Sequence, residues 1–178
     1  MGKGRRKPYR SDLELENEDV EEAVEGELEA VEVIPFEVEV EHVGSTAIPG
    51  LGGREIIDVL ILADRKHLRK IAHLLVVTGF RMNPQSNLEE KIFVSGPFNY
   101  KNKKFHVHIH ITSFGSKEHR EKIMFRDYLK RHPDEARRYY KLKKQWMKKA
   151  RKNISKYGEL KSSFIIEILK KAKEEAKS

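Results

Sequence analysis

The sequence predicts an α+β fold: a mixed β-sheet of four to five strands with helices on it, followed by a C-terminal helical tail. Three observations predict it. Phe36–Val43 alternates, with Phe36, Val38, Val40 and His42 on one face and Glu37, Glu39 and Glu41 on the other, the pattern of a half-buried strand. Ile56–Leu62 is a near-continuous apolar run broken only by Asp58, which reads as a central strand buried on both faces. After Ser113 the apolar spacing changes from two to three or four residues and keeps that helical period to the end.

The elements follow in order. Met1–Arg10 is basic and reads as a tail; no apolar run follows it, so it does not resemble a signal peptide. Asp12–Val31 places Val20, Val24, Leu28 and Val31 on one helical face, with Gly26 weakening the helix and Pro35 marking its end. Gly44–Gly53 holds four glycines and Pro49 and reads as a loop with room for one helical turn. Asp64 is the expected cap of a helix reaching Thr78, with Leu68, Ile71, Ala72 and Leu75 inward and Gly79 at its end. Lys91–Ser95 and Lys104–Thr112 are expected strands, joined by a polar hairpin connection over Gly96–Lys103. Ser116 caps a helix to about Arg131. Pro133 opens the next, with Asp134 and Glu135 in its first turn, running to about Lys152. The last helix is expected over Gly158–Ala176, with Leu160, Phe164, Ile165 and Ile168 or Leu169 as its apolar face. The expected organisation is a tail over 1–10, an α/β core over 11–115 and a helical region over 116–178 packed on that core.

Composition narrows the function classes. The 178 residues include no cysteine, which excludes a disulfide scaffold, a thiolate metal centre and a thiol nucleophile. No apolar run is long enough for a transmembrane helix, and a cytoplasmic protein with no membrane partner is expected. The net charge of +8 is unevenly placed. Lys117–Ser178 carries 21 Lys and Arg against 9 Asp and Glu, whereas Ser11–Glu41 carries 14 acids and no Lys or Arg. The basic end suits an anionic partner, nucleotide phosphates or nucleic acid; solvated helix faces are the plainer reading of most of these charges.

Four groups of residues could carry chemistry. In His42-Val-Gly-Ser-Thr-Ala-Ile-Pro-Gly50, Gly44 allows close approach of backbone to a ligand, and Ser45 and Thr46 add hydroxyls and N–H groups, as a phosphate requires. Asp58 is costly to bury in an apolar strand unless it meets a cation or a donor network. His106, His108 and His110 alternate with Val107, Ile109 and Ile111, so the three imidazoles share one face of a strand. They suit a metal or a phosphate, or equally a hydrogen-bonded polar sheet face. In the tail, Arg126 with Lys130 and Arg137 with Lys141 pair at i, i+4, and Lys161 follows later. Tyr128, Tyr139, Tyr140 and Tyr157 suit base stacking or a helical core, and the basic run Lys141–Lys152 around Trp146 suits RNA or solvent.

HVGSTAIPG followed by Ile56-Ile-Asp58 resembles the GrpB family (the UPF0157 group), of the nucleotidyltransferase-fold superfamily. Met124–Lys144 resembles its second block, and Tyr157-x3-Lys161-x2-Phe164-Ile165 its third, so the resemblance spans about His42 to Leu169. The resemblance implies a nucleotidyltransferase-like sheet in which Gly44 and Ser45, with Thr46, hold phosphates and Asp58 is the first metal acid, for Mg²⁺ or Mn²⁺. It puts the second acid at residue 60, which is Leu60, and a lysine before the acid where Arg54 stands. One carboxylate rarely fixes Mg²⁺ by itself. Some relatives are fused to a dephospho-coenzyme A kinase, but no Walker-type phosphate loop occurs here.

The implied function is binding of a nucleotide or other phosphorylated small molecule, with metal-dependent nucleotidyl transfer. Asp58 is its catalytic residue and metal ligand, with His108 the second ligand. Arg54, Arg126, Lys141 and Lys161 neutralise the phosphates. The alternative is a catalytically degenerate relative that binds a nucleotide, a protein or RNA in a regulatory role.

Overall fold

The computed structural model describes residues 34–51, 56–85, 90–100, 103–150 and 153–177. The expected Asp12–Val31 helix and Arg54 lie outside them. The described elements are β1 (Val38–Val43), β2 (Ile56–Ala63), a 3₁₀ turn (Arg65–His67), α1 (Leu68–Val77), β3 (Arg81–Met82), β4 (Lys91–Tyr100), β5 (Lys103–Ser113), α2 (Lys117–Arg131), α3 (Pro133–Ala150) and α4 (Ile154–Glu175).

The strands form one five-stranded sheet in the order β1-β2-β5-β4-β3. β2 and β5 run parallel at its centre; the other three pairings are antiparallel. Strand periodicity then sorts the side chains onto two faces. On one face Ile57, Val59, Ile61, Val94, Val107, Ile109 and Ile111 pack with Leu68, Ile71 and Ala72 of α1. The opposite face carries Asp58, the three histidines, Leu60 and Leu62, the last two packed with Val43 and with Ile123 of α2. A further core lies among the tail helices, where Phe125, Leu129, Tyr139, Trp146, Phe164 and Ile168 cluster. Ile48 and Leu51 from the loop after β1 insert into that helical core. The glycine-bearing loop is therefore anchored at its far end by about 1.5–3 kcal/mol for each large apolar side chain buried.

Local chemistry accounts for the boundaries. Ser116 accepts a hydrogen bond from the His119 N–H and caps α2 as expected. Asp64 does not cap α1: its side chain makes no such bond, and a 3₁₀ turn closed by His67 N–H on the Asp64 carbonyl precedes the helix. β4 runs on through the expected hairpin connection to Tyr100. Pro97 is tolerated there because β3 pairs only with Val94 and Ser95, leaving that stretch of β4 open on one side. α4 begins about a turn earlier than expected because Asn153 caps it, accepting from the Lys156 N–H.

Thr112 is fully buried at the end of β5. Its hydroxyl donates to the Glu90 carbonyl at 2.7 Å and contacts the Ser116 hydroxyl at 2.9 Å. Thr112→Val keeps the shape and removes those bonds, which join the buried hydroxyl to partners nearer the surface. A loss of about 1–2 kcal/mol is expected, read from urea unfolding.

Candidate functional site

Asp58 sits on the face of the sheet that packs against α2. On β2 it pairs in register with Val43 of β1 on one side and His108 of β5 on the other. His108 in turn pairs with Ser95 of β4, and Ser95 with Arg81 of β3, so one row crosses all five strands. Gly44 follows at once after β1 with φ +75°, and a Cβ built on it would lie 2.3 Å from Asp58 Oδ2. The carboxylate is thus pressed against bare backbone on one side. On the other, its Oδ1 lies 3.4 Å from His108 Nδ1. The fold thus brings Gly44 and Asp58, two of the expected residues, side by side.

The electrostatics follow from this placement. The Asp58 side chain is 22% exposed. Burial pushes its carboxyl up, but the His108 hydrogen bond and the nearby charges of Lys161, His110 and His108 outweigh it and lower it to about 2. Lys161 comes from α4, so the last helix contributes a cation to this face. His42 Nε2 hydrogen-bonds Thr46 Oγ1 at 2.9 Å, tying the end of β1 to the loop. Burial lowers His42 to about 4 against the pull of Asp58, with Lys130 and Arg126 adding to the fall, so its imidazole is neutral near pH 7. His110, beside Glu118 at 3.6 Å, is lowered to about 3 by burial and Lys122. His106 is lowered by burial and by His108, whose ring centroid lies 5.4 Å away.

The remaining expected residues separate. The Ser45 carbonyl accepts from the Ile48 N–H, closing a turn in the loop after β1. The Arg126 guanidinium binds the Glu41 carboxylate, Asp127 at 2.7 Å and the His42 carbonyl at 3.0 Å. It holds α2 to the end of β1 and is already satisfied by acids. Lys141 is exposed on α3 and forms no ion pair with a described residue. Tyr128 and Tyr139 are buried in the helical core and Trp146 is buried with them, so these rings support packing and present no open face for a base. Sequence reasoning does not single out Ser95, Glu118 or Glu41. Their roles come from register and from long-range pairing, which local patterns do not encode.

Leu60 occupies the same face as Asp58, two residues along β2. It is 0% exposed and packed with Val43, Leu62 and Ile123. Where a second acid would project, the protein has hydrocarbon under α2. Among the described residues no three His, Asp or Glu side chains come together as a metal site. Asp58 Oδ1 and His108 Nδ1, 3.4 Å apart, lie within reach of one ion: a tetrahedral centre with ligands about 2.1 Å away spaces them roughly 3.4 Å apart, and octahedral Mg²⁺ spaces neighbouring ligands roughly 3.0 Å apart, so the pair closes by about 0.4 Å on it. Two protein donors suit one cation whose other ligands come from phosphates, as Mg²⁺ is commonly held. They do not suit a metal pair.

Comparisons with known proteins agree with this frame. The sequence profile of a family described as GrpB protein matches residues 7–171. A UPF0157 protein of Pseudomonas aeruginosa is 34% identical over 137 residues, covering 75% of this chain and 54% of its own length. YqkA, a UPF0157 protein of Bacillus subtilis, is 29% identical over 92% of this chain and 46% of its own. The chain thus spans about half the length of these two relatives. The crystal structure of the conserved protein GrpB from Enterococcus faecalis superposes with TM-score 0.75 at 25% identity, covering 93% of this chain and 99% of that one. The Cid1 poly(U) polymerase bound to Mg 3′-dATP superposes with TM-score 0.50 at 16% identity over 84% of this chain and 49% of its own, a likeness of fold. The sheet and its helices are nucleotidyltransferase-like. No helix among the described residues is long and apolar enough to cross a membrane.

Proposed function

The chain belongs to the GrpB family, and from that premise we propose that it binds a nucleotide or another phosphorylated small molecule, with one divalent cation, on the Asp58 face of the sheet. The observation that carries this reading is the pairing of Gly44 and Asp58. A left-handed glycine with no room for a side chain lies against a carboxylate held ionised by His108 and Lys161.

In this reading the loop at Gly44, Ser45 and Thr46 offers hydroxyls and backbone to the phosphates. Asp58 and His108 hold a Mg²⁺ or Mn²⁺ ion. That ion supplies positive charge between the carboxylate and the phosphates, which would otherwise repel. Lys161 adds a cation from the tail. Arg126 serves by holding α2 against β1, since its guanidinium is engaged by Glu41 and Asp127. Leu60 limits the chemistry. With hydrocarbon at the second acid position, binding without two-metal transfer is favoured, the behaviour of a regulatory or sensing relative.

A second reading, nucleotidyl transfer with a single ion, is supported by the Asp58–His108 spacing and by the fold shared with Cid1, whose structure is described with Mg and a nucleotide.

Calorimetric titration of ATP, GTP, CTP and UTP, with and without Mg²⁺ or Mn²⁺, tests the site. Binding that requires the metal, and that weakens at least roughly tenfold in Asp58→Asn, is expected for a ligated carboxylate. Equal affinity in Asp58→Asn would remove the site. Labelled nucleotide transferred to an acceptor by the native chain, and lost in Asp58→Asn, would establish the second reading over the first.

A further inference from the structure

The two halves of α3 treat their cations differently. In the first half Arg137 pairs with Asp134, and Arg138 pairs with Glu135 and with Glu167 of α4. The second half, Lys141–Lys149, holds five lysines and no acid. Lys141, Lys148 and Lys149 are exposed and form no ion pair with a described residue, and Lys144 lies over the Tyr140 ring at 4.2 Å. Lys141 and Lys148 stand two helical turns apart on one face, about 10 Å along the axis.

Exposed like charges such as Lys141, Lys148 and Lys149 repel one another and favour a polyanion that releases its own counterions on binding. The rest of the surface selects among polyanions. A membrane-surface helix needs an apolar face to insert, and here Trp146 and Ala150 are buried in the bundle. A protein partner needs an apolar centre, and Met147 is the sole exposed large hydrophobic of this segment. A phosphate backbone needs neither. The position is also apt. Trp146, on the inner side of the helix, contacts Tyr157 of α4 at 6.5 Å. Lys161, which acts on Asp58, lies about one turn beyond Tyr157. The lysine row therefore stands at the same end of the helical tail as the candidate site.

We propose that the second half of α3 is a docking surface for the sugar-phosphate backbone of a nucleic acid. The surface stands on α3 alone and does not depend on nucleotide binding at Asp58.

Fluorescence anisotropy with a labelled 12-nucleotide oligouridylate, between 50 and 200 mM salt, tests it. The native chain is expected to bind with a salt-dependent affinity. The triple variant Lys141→Gln, Lys148→Gln, Lys149→Gln is expected to bind at least roughly tenfold more weakly at 50 mM salt. Its log–log salt slope should be shallower by about 2, from roughly 0.7 per single-strand phosphate contact. The matched control Lys170→Gln, Lys173→Gln, Lys177→Gln, at and just beyond the far end of α4, should keep the native affinity within about threefold. No binding by the native chain at 50 mM salt overturns the proposal. So does unchanged binding by the first triple variant, or equal loss in both. Should the first triple variant lose helical signal, Lys148→Gln alone decides, with a slope change of about 0.7 expected. Calorimetry of nucleotides on the same variant separates the two proposals, because an intact nucleotide isotherm with lost oligonucleotide binding implicates only α3.

Discussion

Gly44→Ala is expected to destabilise the protein by about 4 kcal/mol and to lower its melting temperature by roughly 10 °C. Two costs combine. At φ +75° a side chain strains the backbone by about 1–3 kcal/mol. The added methyl would also lie 2.3 Å from Asp58 Oδ2, 2.8 Å from its Cβ and 2.9 Å from its Cγ. Asp58 is a central-strand residue, so its Cβ cannot swing aside. Relief must come from displacing the loop or turning the carboxylate off His108, an overpacking cost of about 1–3 kcal/mol. Gly50→Ala isolates the first cost. Gly50 has φ +70° but nothing within 4 Å of an added Cβ, so it should lose only the backbone share. Thermal melts of the two variants side by side check this. Equal melting temperatures would mean that the loop does not press on Asp58. The Gly44 variant should also lose metal-dependent nucleotide affinity, since the clash falls on the proposed ligand.

Acid is expected to unfold this protein well before ordinary carboxylates titrate. His42 and His110 are held neutral in the fold, with pKa values lowered to about 4 and about 3, chiefly by burial. In the unfolded chain both return to about 6.5. Above pH 6.5 both states carry neutral imidazoles, and the histidines cost nothing. Below it the unfolded chain binds protons that the folded chain refuses, so stability falls by about 1.4 kcal/mol per pH unit for each group. From pH 6.5 to 4.5 the two together remove about 5 kcal/mol, comparable with the whole stability of many domains. Asp58 acts in a lower window. Lowered to about 2, it stabilises the fold above its ordinary value near 4, and that share is lost as pH falls from about 4 towards 2. Urea unfolding at pH 7.5, 6.0 and 4.5 measures the slope. A midpoint that stays constant over this range would contradict the neutral buried imidazoles, and His110→Gln should flatten the curve between pH 6.5 and 4.5.

Much of the fold is legible because burial imposes a period. Val107, Ile109 and Ile111 alternate with the histidines because β5 has a hydrocarbon core on one side and the polar face on the other, so its direction and facing follow from the sequence. The β2 run from Val59 to Ala63 is apolar throughout because both faces are covered. β3 has no such signature. Arg81 and Met82 are both exposed, and the strand exists only because β4 offers edge hydrogen bonds. Asp64 looks like a cap because of its residue type, yet the chain chose a 3₁₀ turn that its side chain does not close. The candidate site was legible in its parts. The bend at Gly44 and the acid at Asp58 stand out locally, and register brings them together. The clamp of tail cations was not legible. Whether Arg126 faces a ligand or Glu41 depends on two residues far apart in sequence, and the ion pair settles it.

The central parallel pairing of β2 with β5 carries a kinetic consequence. β4 and β5 are chain neighbours and can zip as a hairpin in microseconds, before distant strands have found one another. β2 must then arrive from before α1 to lie beside β5, closing a much longer loop at an entropic cost that slows the search. Asp58 meets His108 only at that step. The candidate site therefore forms on a long-range pairing, after the local β4–β5 hairpin rather than with it.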